Sequence, residues 1–115
     1  MPEQQKSELK STVHATLGRI LINQEKYGDA QKEYVEAIKA KSNDPISYFF
    51  LGMAYAQSQP QKVDEAMDAL AKSAFLKGPT EGQARDILTQ IYEQRNRSTD
   101  GLEEFIVQAG AKIGQ

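Results

Sequence analysis

The chain has 115 residues, a formal net charge of -2 and no cysteine. This length fits one domain and is too small for two ordinary ones. The lack of cysteine excludes disulfides and any zinc or iron–sulfur site with cysteine ligands. The near-neutral charge, with both signs interspersed, gives no electrostatic footprint for a nucleic acid or for an anionic membrane surface. We therefore expect no nucleic-acid partner.

The sequence contains no candidate for membrane insertion or targeting. Its longest apolar run covers residues 48–56, far fewer than the roughly 20 residues that span a bilayer. The first residues are polar and no apolar signal core follows them. Short loops and the missing signal favour a soluble bacterial protein. We expect it in the cytoplasm, or in the periplasm if a signal has been removed from a longer precursor.

Hydrophobic periodicity predicts six amphipathic helices, near residues 4–24, 27–41, 45–57, 62–77, 81–95 and 100–113. In the first helix, Val13, Leu17 and Ile20 recur at helical spacing and define its apolar face. Asp44 precedes a proline and is the predicted cap of the third helix. Thr80 begins a capping-box pattern before the fifth. Because the loops are short, consecutive helices are predicted to be antiparallel neighbours.

The helices repeat in pairs. Leu17-Gly18 recurs as Leu51-Gly52 after 34 residues, and Ala30-x3-Tyr34 recurs as Ala66-x3-Leu70 after 36. A two-residue insertion within residues 58–61 accounts for the difference. Gly18 and Gly52 each cost about 1 kcal/mol relative to alanine in mid-helix, which predicts a close approach of two helices there. The repeats cover approximately residues 11–44, 45–80 and 81–113.

The repeated unit resembles the tetratricopeptide repeat (TPR). Tyr48-x2-Leu51-Gly52-x2-Tyr55, followed by Ala66-x3-Leu70, matches that family's pattern closely. His14 replaces the aromatic residue in the first repeat, and Leu88 replaces the small residue in the third. The resemblance implies an all-α fold. It would be a right-handed superhelix of about three antiparallel helix-turn-helix repeats, with the last helix as its cap.

The resemblance also implies a concave groove lined by the first helix of each repeat. The positions carried over are Ala15, Arg19, Ile22, Asn23, Phe49, Met53, Ala56, Gln57, Arg85, Thr89, Tyr92 and Glu93. Either arginine is a candidate to pair a carboxylate bidentately, and Phe49, Met53 and Tyr92 are candidate apolar anchors. The alternative is a face that is merely solvated or covered by a neighbouring chain.

One branch of the family is not expected to include this protein. Family members that clamp the C-terminal carboxylate of chaperones use a Lys/Asn/Asn/Lys/Arg set on these helices. The corresponding places in this chain hold Ala15, Arg19, Phe50, Gly82 and Asp86. The clamp is therefore absent, and a receptor for chaperone tails is not expected.

The sequence shows no catalytic constellation. His14 is the one histidine, and we interpret it as filling an aromatic position, since a lone histidine without a matched acid is a poor catalyst. Serine-nucleophile motifs and a glycine-rich phosphate loop are missing. We therefore predict a non-enzymatic module, without cofactor or metal, that binds a peptide or protein segment. The alternative is an architectural segment of a larger repeat protein, or a self-associating scaffold with no peptide ligand.

Overall fold

The computed structural model describes residues 2–114, and in this range the regular secondary structure consists of six α-helices without a strand. The helices are α1 (Glu3–Asn23), α2 (Tyr27–Ala40), α3 (Pro45–Gln57), α4 (Val63–Leu76), α5 (Glu81–Asn96) and α6 (Leu102–Ala111). All six predicted helices are confirmed, with ends that differ by no more than two residues. The all-α class is therefore correct.

The two predicted N-caps have different outcomes. Asp44 caps α3, since its carboxylate accepts a hydrogen bond of 3.0 Å from the Ile46 N–H. The capping box predicted at Thr80 is wrong, because this side chain makes no cap hydrogen bond. Its hydroxyl instead lies 3.3 Å from Ser73 Oγ, which also donates to the Pro45 carbonyl. A tertiary hydrogen bond between α4 and the next loop has displaced the local one.

The two mid-helix glycines lie where helices of one pair touch. A Cβ atom added at Gly18 would lie 2.5 Å from the Tyr34 ring of α2. One added at Gly52 would lie 2.7 Å from Leu70 Cγ of α4. Non-bonded contacts of a Cβ atom are essentially never this short, so a larger residue at either position would force the neighbouring side chain to move. The close approach that the sequence predicted is confirmed for the first two helix pairs.

The third pair departs from the expected neighbour order. Close packing links α1 with α2, α2 with α3, α3 with α4, and α4 with α5. Helix α6 packs closely on α4 instead of on α5, with Gly110 directly against the Phe75 ring. Helices α5 and α6 touch through their side chains, with the Tyr92 and Phe105 ring centroids 5.8 Å apart, but their backbones do not approach as closely as those of the first two pairs. Leu88, which stands where those pairs have glycine, is fully buried in the larger core cluster.

The core is divided between two apolar clusters. The larger one is formed by side chains of α3, α4, α5 and α6, among them Phe49, Leu70, Leu88 and Ile106. The smaller one lies around Tyr34, between α2, α3 and α4. The molecule is elongated, with extents of 49 × 29 × 23 Å. None of the helices within residues 2–114 has the length and apolar character needed for a bilayer crossing.

The apolar face of α1 is only partly covered by the described part of the chain. Val13, Leu17 and Ile20 are 47%, 41% and 47% exposed, and Leu9 extends the same stripe toward the N-terminus. Leu51, at the repeat position equivalent to Leu17, is only 6% exposed. The difference arises because α1 has packed neighbours, α2 and α3, on one side only.

Candidate functional site

A cavity of about 340 Å³ lies between α1 and α3, where the groove was expected to begin. Ala15 and Arg19 line it from α1, and Phe50 lines it from α3. Tyr34 reaches the same cavity from α2, across the close contact with Gly18. Helices of two successive repeats thus contribute to one site. Its size fits one or two side chains of a bound molecule.

Arg19 is held in place by an aromatic ring and lacks an acidic partner. Its guanidinium carbon lies 4.4 Å from the centroid of the Phe50 ring. Within residues 2–114 its side chain has neither an ion pair nor a hydrogen bond. A guanidinium stacked on a ring keeps the N–H groups along its edge available for a planar acceptor.

Tyr34, which lines the cavity, has a hydroxyl without a hydrogen-bond partner. The side chain is 1% exposed, and its hydroxyl is the one buried side-chain polar atom without a hydrogen-bond partner in the described chain. Burial raises the pKa of the Tyr34 phenol well above its ordinary value; the nearby Arg19 lowers it and Asp44 raises it further. The phenol is thus a neutral donor. An unmet donor of this kind costs about 1–3 kcal/mol.

The charged groups around the cavity carry both signs. Asp44 is engaged, because its carboxylate accepts from the Ile46 N–H and from Ser47 Oγ. Glu8 and Lys41 are exposed on the rim. The Asp44 carboxylate is therefore engaged by the start of α3, whereas the Arg19 guanidinium and the Tyr34 hydroxyl have no hydrogen-bond acceptor in the described chain.

The groove residues predicted on α1 and α3 lie in different surroundings. Arg19 lines the α1–α3 cavity, whereas Phe49 is 7% exposed and belongs to the larger core cluster, which corrects its assignment to the groove. The side chain that faces α1 is the next one, Phe50, whose ring meets the Phe49 ring edge-on at 5.2 Å. Met53 packs against the core from its edge. The remaining positions are Ile22 and Ala56, both half-buried, and Asn23 and Gln57, both exposed.

The predicted residues of α5 are engaged inside the molecule. Arg85 donates to both carboxylate oxygens of Glu103, with an Nη2–Oε2 distance of 3.1 Å, and so ties α5 to α6. Thr89 donates to the carbonyl of Arg85 at 2.6 Å. The Tyr92 hydroxyl donates to the carbonyl of Asp100 at 2.7 Å. These donors of α5 already have acceptors, and none of these residues lines the α1–α3 cavity with Arg19. Glu93, the remaining predicted residue of α5, is exposed.

A larger cleft of about 710 Å³ lies between α2 and α4. Tyr48, Leu51 and Tyr55 of α3 contribute to its lining. Several of its charges are paired, with Asp68 bound to Lys72 at 2.8 Å and Asp64 bound to Arg95 at 2.6 Å. The smaller cavity is the better candidate, because it combines an arginine stacked on a ring with a buried donor that lacks an acceptor.

Three features of the cavity and its surroundings were not predicted from the sequence. Sequence reasoning identified Tyr34 only as a position of the repeat pattern, which does not indicate that its hydroxyl lacks an acceptor. It noted Phe50 only as a replacement in the clamp pattern. It treated His14 as lacking an acid, whereas Glu33 of α2 lies 2.8 Å from its Nδ1 atom. His14, which stands where the repeat pattern has an aromatic residue, thus forms a polar contact between α1 and α2. No local pattern indicates a contact between residues 19 positions apart.

Comparisons with protein-family models, with curated proteins and with solved structures give no match for this chain. Residues 2–114 contain no cluster of three or more histidine, aspartate or glutamate side chains placed to hold a metal ion. The function therefore has to be argued from the geometry of the α1–α3 cavity.

Proposed function

We propose that this chain is a TPR-like interaction module that binds a peptide or protein segment in the cavity between α1 and α3. The observation that carries the proposal is the unpaired Arg19 stacked on Phe50 at the mouth of that cavity. An exposed arginine that is ordered by a ring and has no internal partner is a typical anchor in protein interfaces. We propose no catalytic step and no cofactor.

Two packing contacts support the repeat interpretation. Gly18 lies against Tyr34 and Gly52 lies against Leu70, and these are equivalent positions of the first and second repeats. The same sequence pattern therefore produces the same close contact twice. We propose that the pairs stack as a right-handed superhelix with α6 as its cap, in keeping with the polar, exposed Glu103, Glu104 and Gln108.

The experiment is a selection of peptides from a random display library on the immobilised full chain. Selected peptides are then titrated against the wild type and against Arg19→Ala, with Arg97→Ala at the end of α5 as the exposed control. We expect weaker binding to Arg19→Ala, with little change for the control. If no peptide is selected, or if Arg19→Ala binds every selected peptide as well as the wild type, the groove is not the binding site.

A second candidate function rests on a different observation, the exposed apolar stripe of Leu9, Val13, Leu17 and Ile20 on α1. In an antiparallel pair of α1 helices, Leu9 would lie opposite Ile20 of a second copy, and Val13 opposite Leu17. The stripe is thus complementary to itself about a two-fold axis, as a symmetric dimer requires. We propose self-association through α1 as the architectural alternative to peptide binding.

Light scattering across a range of protein concentrations tests the architectural alternative. We expect a dimer that Leu17→Glu converts to a monomer, because a charge on each side of the two-fold axis opposes pairing. Val107→Glu, on the exposed face of α6, is the matched control and leaves the dimer intact. A wild type that remains monomeric at high concentration, or a dimer insensitive to Leu17→Glu, excludes this arrangement.

A further inference from the structure

We infer that the α1–α3 cavity recognises a carboxylate on the bound segment, held by the guanidinium edge of Arg19 and by the Tyr34 hydroxyl. The inference rests on the proposed function and names the chemistry of its ligand. The carboxylate belongs to an aspartate or glutamate side chain or to the C-terminus of the segment. These two sources present the same group, and the experiment separates them.

The first argument is the match between the unmet groups and the ligand. Arg19 has no acidic partner in the described chain and is fixed by its contact with Phe50. The Tyr34 hydroxyl has no acceptor although it is buried. Both side chains line one cavity. A carboxylate has two acceptor oxygens and can take a planar guanidinium and a hydroxyl at the same time.

The second argument concerns the alternatives within the molecule. Arg85, the other arginine predicted in the groove, already binds the Glu103 carboxylate in this manner. Asp44, the acid nearest to the start of α3, is satisfied by Ile46 and Ser47. Glu8 is the acidic side chain on the rim without such partners, and its exposure leaves it free to remain in water. The Arg19 guanidinium and the Tyr34 hydroxyl thus remain without an internal acceptor.

The third argument concerns the stability of the ligand-free protein. A hydroxyl buried without an acceptor destabilises the ligand-free protein, and removal of that hydroxyl with the ring retained relieves the cost. Tyr34→Phe should therefore raise the melting temperature of the free protein while it weakens carboxylate binding. If Tyr34 had a purely structural role, Tyr34→Phe would not combine a higher melting temperature with weaker carboxylate binding.

The experiment uses the peptides selected by display on the full chain. Each peptide is compared with a version in which one acidic residue is changed to its amide, and with a version whose C-terminus is amidated. Affinities are measured by isothermal titration for the wild type, Arg19→Gln and Tyr34→Phe, with Arg97→Gln as the control. Circular dichroism and thermal melting verify that each variant is folded.

We expect one of the two neutralised versions to lose about tenfold or more in affinity, which is the loss typical of a hydrogen bond to a charged group. The version that loses affinity identifies a side-chain or a terminal carboxylate. Arg19→Gln and Tyr34→Phe should each weaken the acidic peptide and leave its neutral counterpart unchanged. Tyr34→Phe should also melt at a higher temperature than the wild type.

Three outcomes overturn the inference, and they are distinguishable. If peptides bind but neutralisation of their carboxylates has no effect, the carboxylate is wrong and the interaction module survives. If Arg19→Gln weakens binding and Tyr34→Phe does not, the two-donor site is wrong. If the library yields no binding peptide, the proposed function itself fails, and the inference fails with it.

Discussion

The Tyr34 ring of α2 lies against Gly18 of α1 so closely that a Cβ atom on the glycine would come within 2.5 Å of the ring. Leu70 of α4 has the same relationship to Gly52 of α3. Each glycine accepts a loss of helix propensity in mid-helix because it allows two helices to pack directly. This contact also fixes the Tyr34 side chain, which lines the α1–α3 cavity.

Substitution at these glycines should destabilise the fold. Gly18→Ala and Gly52→Ala each gain about 1 kcal/mol in helix propensity, but the added methyl group overlaps Tyr34 or Leu70, and overpacking costs about 1–3 kcal/mol or more. We expect a net loss of about 1–2 kcal/mol in the free energy of unfolding, measured by urea denaturation.

The matched controls for this test are Gly28→Ala and Gly82→Ala, where an added Cβ meets nothing within 4 Å. Since only the propensity changes, we expect them to be neutral or to stabilise by up to about 1 kcal/mol. A Gly18→Ala variant as stable as Gly28→Ala would contradict the close contact between α1 and α2.

Equivalent leucines of the first two repeats should differ in their contribution to stability. Leu51→Ala removes a side chain that is 6% exposed, and such a deletion costs about 2–5 kcal/mol. Leu17→Ala, at the same repeat position but 41% exposed, should cost less than about 1 kcal/mol. Equal losses in chemical denaturation would show that α1 is covered, as it would be in the α1-mediated dimer.

A buried glutamine joins two helices and the residue that precedes a third. Gln31 of α2 is 5% exposed, donates to the Ala54 carbonyl of α3 at 3.1 Å and accepts from Lys62, the residue before α4, at 3.1 Å. Gln31→Met keeps the approximate size of the side chain and breaks both hydrogen bonds, so we expect a loss of about 1–3 kcal/mol. The exposed Gln57→Met serves as the control in thermal melts, and a similar small change in both variants would exclude the role of Gln31.

The attachment of α6 to α5 should weaken in acid. The hydrogen bond from Arg85 lowers the pKa of Glu103 below its ordinary value of 4.5. Because the folded state prefers the ionised form, this stabilisation is present above the unfolded pKa and is lost as the pH falls through the folded pKa. Glu103→Gln should therefore melt below the wild type at pH 7, and the difference should shrink below pH 4.5. Glu104→Gln, whose side chain contacts Gln108 instead of Arg85, is the control and should show no such convergence.

The sequence predicted the helices well because their signals are local. The apolar spacing of each helix and the Asp44-Pro45 start of α3 depend on neighbouring residues, which the chain order already supplies. The Thr80 cap failed for the opposite reason. Its hydroxyl has a partner seven residues away, Ser73, which becomes available only when α4 has packed against the start of α3.

The candidate site was predicted in part. Arg19 was identified by its place after the Leu17-Gly18 pair, and it does line the α1–α3 cavity. The sequence assigned Phe49 to the site, whereas the structure places its neighbour Phe50 there. One residue rotates a helical side chain by about 100°, and the pattern does not show where the next helix packs. The missing acceptor of Tyr34 is a property of its surroundings and has no signal in the sequence.

The sequence by itself determined the six helices, the repeated glycine contacts and the position of Arg19, since each depends on spacing along one or two adjacent helices. Tertiary structure alone decided that α6 packs on α4, that Leu17 is exposed while Leu51 is buried, and that Tyr34 is buried without an acceptor. The reason is that a helix's periodicity defines which side chains share a face. Which face is covered depends on how many neighbours that helix has, and α1 lies at the end of the row.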